Sequence, residues 1–231
     1  ENLAGLMQVS VELLLDGAAA GRGDSRRSDE YWTPVLAATA MEGAFHLLHP
    51  APQPGDRAHF LTLDERNPDS IFSCVREARE NARTVRDQIS DEMWAELNAL
   101  FLFIGSREGA AMFEAVPQAF FEKIIGSSLR FDGITSATLA RTEEWHFLQL
   151  GRYLERADKT SRFLDIKTQM PEPFDSALEA LQWGTILRAC SAQTSYRKAH
   201  GTEVSLAQVL DLLLFSTDFP RSVRFLSLIH I

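Results

Sequence analysis

The 231 residues carry a net charge of −9 at pH 7, and 45% of them are hydrophobic. That acidity argues against a nucleic-acid partner, whose binding leans on Lys and Arg to neutralise phosphates, while the apolar share suffices for a substantial core in one domain or two fused halves. No stretch approaches the roughly 18 apolar residues that a membrane span needs, so no membrane partner is expected and the reading is cytoplasmic.

The first predicted helix runs from Glu1 to about Asp16, with Leu3, Leu6, Met7, Val11, Leu14 and Leu15 recurring near the helical period. Gly17 to Ser28 reads as a loop, and its Arg22-Gly23-Asp24 tripeptide as a chance match to an adhesion motif. Helix returns over Tyr31 to Leu48 and is stopped by Pro50, Pro52 and Pro54, which fix φ and remove donors. The longest helix is expected next. Asn67 is its predicted N-cap, Pro68 is preset for the first turn, and Asp69 complements the positive helix end. Ile71, Val75, Ala78, Ala82, Val85 and Ile89 then recur at alternating fours and threes, a stripe that predicts lengthwise packing on a neighbour.

Ser90 starts a further helix carrying Met93, Trp94, Leu97, Phe101 and Ile104. Gly105 to Val116 reads as the linker between halves, and Pro117 to Leu129 as a helix whose exit turn is marked by Gly133. A helix from about Thr142 to Lys167 comes after it, with Phe147, Leu150, Leu154, Ala157, Ser161 and Leu164 as its packing stripe. A last pair covers Phe174 to Arg197 and Ser205 to Phe215. No segment alternates like a strand, so the expected fold class is all-α. Cys74 and Cys190 both sit in helical patterns among apolar neighbours and are expected as buried thiols of a reducing cytosol.

An internal likeness organises these elements. Glu1 to Met7 lines up with Asp158 to Leu164; Trp32, Val35, Leu36 and Ala38 find Trp183, Ile186, Leu187 and Ala189; Pro68-Asp69-Ser70-Ile71 matches Pro220-Arg221-Ser222-Val223. A repeat this long is a duplicated subdomain rather than a solenoid unit, whose periods run to roughly 20–50 residues. The expectation is a helical bundle of two related halves. The first repeat spans 1–104 and is cut at its start; a linker and helix span 105–141. The second repeat spans 142–226 and is cut at its end, and 227–231 is a non-native tail.

Two constellations could carry chemistry. Arg76, Arg79, Arg83 and Arg86 share one helix face and could clamp a carboxylate or phosphate through their planar forks of donors. The competing reading is an exposed face salt-bridged by the interleaved Glu77, Glu80 and Asp87. Arg152, Glu155 and Arg156 lie three and four apart beside an apolar stripe, around Gly151, which would let another helix come close. They form either a structural ion-pair network, since a charge at a helix seam must be paired, or an anion-binding or catalytic cleft between the repeats, with the arginines as binders and Glu155 as orienter or base. Glu143 and His146 have the Glu-x-x-His spacing of di-iron bundles, but the second motif is missing, so no metal or other cofactor is expected. His46 and His49 read as surface residues before the proline turn.

The run Gly151-Arg152-Tyr153-Leu154-Glu155-Arg156-Ala157-Asp158, with Trp145 ahead and Leu164-Asp165 behind, resembles the hallmark of the bacterial Alpha-E family. Asn67 to Ile71 with Arg76, Arg79 and Arg83 resembles that family's second block, and Phe219 to Phe225 its C-terminal block. The resemblance implies an all-helical domain encoded beside an ATP-grasp-type ligase and a transglutaminase-like protein. It implies a role in making or modifying small peptides, and it marks Glu155, Arg156, Asn67, Arg76, Arg79 and Arg83 for test.

Two functions stand as expectations. One is a non-catalytic partner of the ligase, which requires an exposed apolar patch. The other is an enzyme acting on a peptide or amino-acid-like substrate in an Arg/Glu-lined cleft, with Glu155 as its catalytic candidate.

Overall fold

The computed structural model describes residues 2–19, 32, 35–37, 39–169 and 176–228, and among these every regular element is a helix. The all-α expectation holds. The expected loop tip with Arg22-Gly23-Asp24, the start of the helix at Tyr31, Ala38 of the internal likeness and the last three residues of the tail lie outside the described residues. The chain divides into two compact units, one running from Leu3 to Glu144 and one beginning at Trp145.

In the first unit α1, Asn2–Ala19, buries Ala4, Leu6, Met7, Val9 and Val11. The helix expected to reach Leu48 unbroken is interrupted: Ala40 adopts φ 57°, and α2 begins afresh as Glu42–Leu48. The Ala40 N–H donates to the Ala37 carbonyl at 2.9 Å and the Met41 N–H to the Leu36 carbonyl at 3.1 Å. This paired closure satisfies carbonyls that a helix end leaves open. After the proline turn, α3, Asp56–Thr62, sets Phe60 edge-on against Phe45 with ring centres 5.3 Å apart.

α4 is Ile71–Thr84, and its N-cap is Ser70, not Asn67: the Ser70 hydroxyl accepts from the Ser73 N–H at 3.1 Å. Asn67 is buried one turn earlier, accepting from the Asp69 N–H and donating to the Phe60 carbonyl, both at 2.9 Å. The helix also stops short of Ile89, leaving Val85 exposed beyond its end. Ser90 caps α5, Asp91–Ile104, as its sequence predicts, with the Met93 N–H at 3.2 Å from the hydroxyl.

The expected linker is itself structured. Ser106 caps α6, Arg107–Ala115, and α7, Pro117–Thr138, continues straight through Gly133. α5, α6 and α7 pack on one another around Phe103, Phe113, Phe120 and Phe121. A Cβ built on Gly109 would stand 2.2 Å from the Phe103 carbonyl oxygen, so only glycine lets α6 fold back this tightly. Glu96 ties α5 to α7, accepting from the Ser127 hydroxyl at 2.5 Å and pairing with Arg130 at 3.0 Å.

The second unit starts within α8, Glu143–Gln169. α9, Ser176–Ala189, buries Trp183, Ile186 and Leu187, and is broken from α10, Gln193–His200, at Ser191, whose φ is 53°. α11, Leu206–Leu210, runs into a π turn at Asp211–Phe215, and Ser222 caps α12, Val223–Leu228.

The break at Ser191 repeats the break at Ala40 bond for bond. The Ser191 N–H donates to the Arg188 carbonyl at 2.8 Å and the Ala192 N–H to the Leu187 carbonyl at 2.7 Å. One turn on, buried Phe45 stacks on His49 at 4.9 Å, and buried Tyr196 meets His200 at 5.1 Å. Further along, the Phe225 N–H reaches the Ser222 hydroxyl at 3.0 Å, as Ser73 reaches Ser70.

Candidate functional site

Arg76, Arg79 and Arg83 lie on α4 in the first unit, Arg86 lies in the turn beyond its end rather than on the same helix face, and each is engaged. Arg76 pairs with Glu65 at 3.3 Å and Glu77 at 3.5 Å. Arg79 donates to Asn98 and pairs with Glu80, both at 2.8 Å, while its guanidinium lies 4.8 Å from the Phe101 ring centre and 5.5 Å from that of Trp94. Arg83 pairs with Glu80 at 2.6 Å, and Arg86 with Asp91 at the start of α5. Guanidiniums stacked on aromatic rings and matched by carboxylates clasp two helices together. Glu77 and Glu80 pair with this row as the salt-bridged reading expects, but Arg86 pairs with Asp91 rather than Asp87, and Arg79 fastens α4 to α5.

Arg152, Glu155 and Arg156 all lie on α8 in the second unit. Arg156 is buried at 9% exposure, Arg152 is half-buried with Nη1 3.4 Å from the Gln149 side-chain oxygen, and Glu155 is exposed. Among the positions of this helix whose burial is described, Gln149, Arg156, Thr160 and Phe163 are buried. At about 100° per residue they share one face. Phe147, Leu150 and Leu154, the stripe expected to pack, share the opposite face and are 65%, 36% and 61% exposed. Along this stretch the covered face carries polar Gln149 and Arg156, while Phe147, Leu150 and Leu154 are left on the open face. Gly151 is exposed too, and among the described residues nothing lies within 4 Å of a Cβ built on it. On the buried face the Thr160 hydroxyl donates to the Arg221 carbonyl at 3.0 Å, joining α8 to the turn ahead of α12.

Sequence reasoning missed a polar cluster in the first unit. His49 is not a surface residue: its ring stacks on Phe45, with Nδ1 3.5 Å from Asp56 and Nε2 3.8 Å from buried Asp64. Arg66 forks onto Asp64, with contacts of 2.6 and 2.9 Å, and its Nη2 lies 3.4 Å from His49. The hydrogen bond from Arg66 is the main reason the Asp64 carboxyl is held below its ordinary range, and Asp64 in turn raises Arg66. The available signal was Asp64 and Arg66 two apart in a turn, a spacing at which an aspartate can accept from both the backbone and the side chain of the arginine.

Among the described residues no three His, Cys, Asp or Glu side chains are grouped to hold a metal ion. The thiols differ from expectation in one case. Cys74 is exposed, whereas Cys190 is buried and desolvation pushes its pKa up to about 12, which keeps it protonated and inert as a nucleophile.

Comparison with known proteins places this geometry. The profile of a family described as a predicted alpha-helical domain with a conserved ER motif matches residues 1–228. An uncharacterized protein of Mycobacterium bovis is 25% identical over 167 residues, which is 71% of this chain and 19% of the relative. Uncharacterized proteins from two strains of Mycobacterium tuberculosis match to the same extent. The chain thus spans about a fifth of the length of these curated relatives. No solved structure matches it.

Proposed function

The chain belongs to the Alpha-E family, and from that membership we propose that it serves as a non-catalytic helical partner of an ATP-grasp-type ligase. The work is the synthesis or modification of small peptides in the cytoplasm, with a transglutaminase-like protein as a further partner. The observation that supports this reading is the outward face of α8. Phe147, Leu150 and Leu154 form an exposed apolar ridge at i, i+3 and i+7 spacing on the helix that carries the Glu-Arg motif. A contiguous exposed apolar patch marks an interaction site more often than scattered single residues do, and this spacing suits a groove or a second helix. Among the described residues, no helix is long and apolar enough to cross a membrane.

The test is co-expression with the ATP-grasp protein encoded beside it, then affinity purification and an assay of ATP turnover with amino-acid mixtures. The two proteins are expected to co-purify, with turnover stimulated by the helical protein. Leu154→Asp, at an exposed position, should abolish co-purification while leaving the melting temperature unchanged. Retention of the complex by Leu154→Asp and by Phe147→Asp would overturn the ridge as the docking surface. Turnover of a peptide by the helical protein alone, lost on Glu155→Gln, would instead make it an enzyme.

A further inference from the structure

The matched stretches do not run at one constant offset. From Ala40/Ser191 through Phe45/Tyr196 to His49/His200 the partners are 151 residues apart, whereas Ser70 and Ser222 are 152 apart. The turn before these caps keeps the larger offset: the Ser70 N–H donates to the Asn67 carbonyl at 3.1 Å, and the Ser222 N–H to the Phe219 carbonyl at 3.0 Å. One more residue therefore lies between His200 and Phe219 than between His49 and Asn67.

The extra residue is not in the connecting loop. Seven residues, 49–55, separate α2 from α3, and five, 201–205, separate α10 from α11. It falls within the helix. The counterpart of α3 in the second stretch is α11 with its π turn at Asp211–Phe215, while α3 itself is α-helical from Asp56 to Thr62. A π turn closes its hydrogen bonds from i to i+5, one residue more than the α form. It lets a helix hold a surplus residue without rotating the next turns by about 100°.

Burial agrees with that register at one position. The discriminating position is Phe60, which falls on buried Leu212 at the larger offset and on exposed Asp211 at the smaller; Leu61 meets a buried leucine at either, and buried Thr62 meets half-buried Leu214 at the larger and buried Leu213 at the smaller.

We infer that the stretches 32–76 and 183–228 are two copies of one helical unit, and that the π turn marks a single-residue insertion in the second copy, with Asp211 as the surplus residue. The bulge keeps Leu212 and Leu213 in the core and delivers the chain in register to the Ser222 cap. On this account the π turn preserves register and is not a ligand site.

The experiment deletes Asp211 from the full chain, deletes Ala58 from α3 as the control, and tracks both by circular dichroism on heating. Deletion of Asp211 should leave helical content intact and shift the melting temperature by no more than about 4 °C. Deletion of Ala58, where no surplus residue exists, turns Phe60 and Leu61 away from their pockets and should lower it by more than about 10 °C. Equal damage from the two deletions would overturn the inference, as would loss of the cooperative transition on deleting Asp211 alone.

Discussion

Residues 39–74 and 190–226 use one backbone plan with two different sets of side chains. Each opens on a left-handed residue that closes the preceding helix, Ala40 or Ser191, and each ends on a buried serine that caps the next one. Between those points the first is held by ionic groups, with Arg66 forked onto Asp64 beside His49. In the second, neutral groups around Tyr196 stand in the corresponding place. The Tyr196 hydroxyl lies 2.9 Å from the Glu203 carbonyl and 2.8 Å from the Gln208 side-chain oxygen, and accepts from the Ser205 N–H at 3.2 Å. Where Asp64 orders its turn by accepting from the Arg66 N–H at 2.9 Å, the Ser216 hydroxyl accepts from the Phe219 N–H at 3.1 Å. The lesson is that the backbone requirement persists while its side-chain solution changes, because every buried N–H and C=O needs a partner whatever residue supplies it.

Removing the central aromatics attacks this comparison hardest. Phe45→Ala and Tyr196→Ala each empty a fully buried site and should each cost about 3–5 kcal/mol, read from urea unfolding. A negligible loss at either position would show that the two aromatics are not equivalent anchors.

The caps come next. Ser70→Ala and Ser222→Ala should each cost about 1 kcal/mol, with equal midpoint shifts if the two serines do the same work. A smaller effect of opposite sign is expected at the helix breaks. A non-glycine residue held at positive φ is strained, so Ala40→Gly and Ser191→Gly should each stabilise by up to about 1 kcal/mol, visible as a rise in melting temperature.

The last prediction separates the two stretches by pH. Asp64 is depressed below its ordinary value of 3.8, so the unfolded chain holds that proton more tightly than the folded one. Its contribution is therefore whole above pH 3.8 and is lost as pH falls through the lower folded value. Asp64→Asn should be destabilised relative to the parent at neutral pH, with the gap closing as acid is added. Ser216→Ala, lacking a titrating group, should show a gap that does not move with pH. A constant gap for Asp64→Asn would show that the Asp64 charge does not hold the first stretch.

Much of the helical framework was legible because its signals are local. Periodicity located α1, α5 and α8, and Ser90 announced the start of α5. The breaks at Ala40 and Ser191 were hidden because no glycine stood there to signal a left-handed residue. Conversely Gly133, read as an exit turn, sits inside α7, where a helix tolerates it at modest cost. At the candidate sites, spacing placed Arg76, Arg79 and Arg83 on one helix but carried on to Arg86, which lies beyond the end of α4, and could not say that Trp94, Asn98 and Phe101 of the next helix would meet Arg79. The His49–Asp64 approach was likewise out of reach, since it depends on α3 folding back after the proline turn.

The sequence by itself determined that this chain is helical and where its motif helix lies, since period and caps are set by residues three or four apart. Only the tertiary structure decided which side of that helix is covered. Periodicity groups Phe147, Leu150 and Leu154 as surely as it groups Gln149, Arg156 and Phe163, but burial is conferred by residues distant in the chain, and these cover the second face and leave the first open.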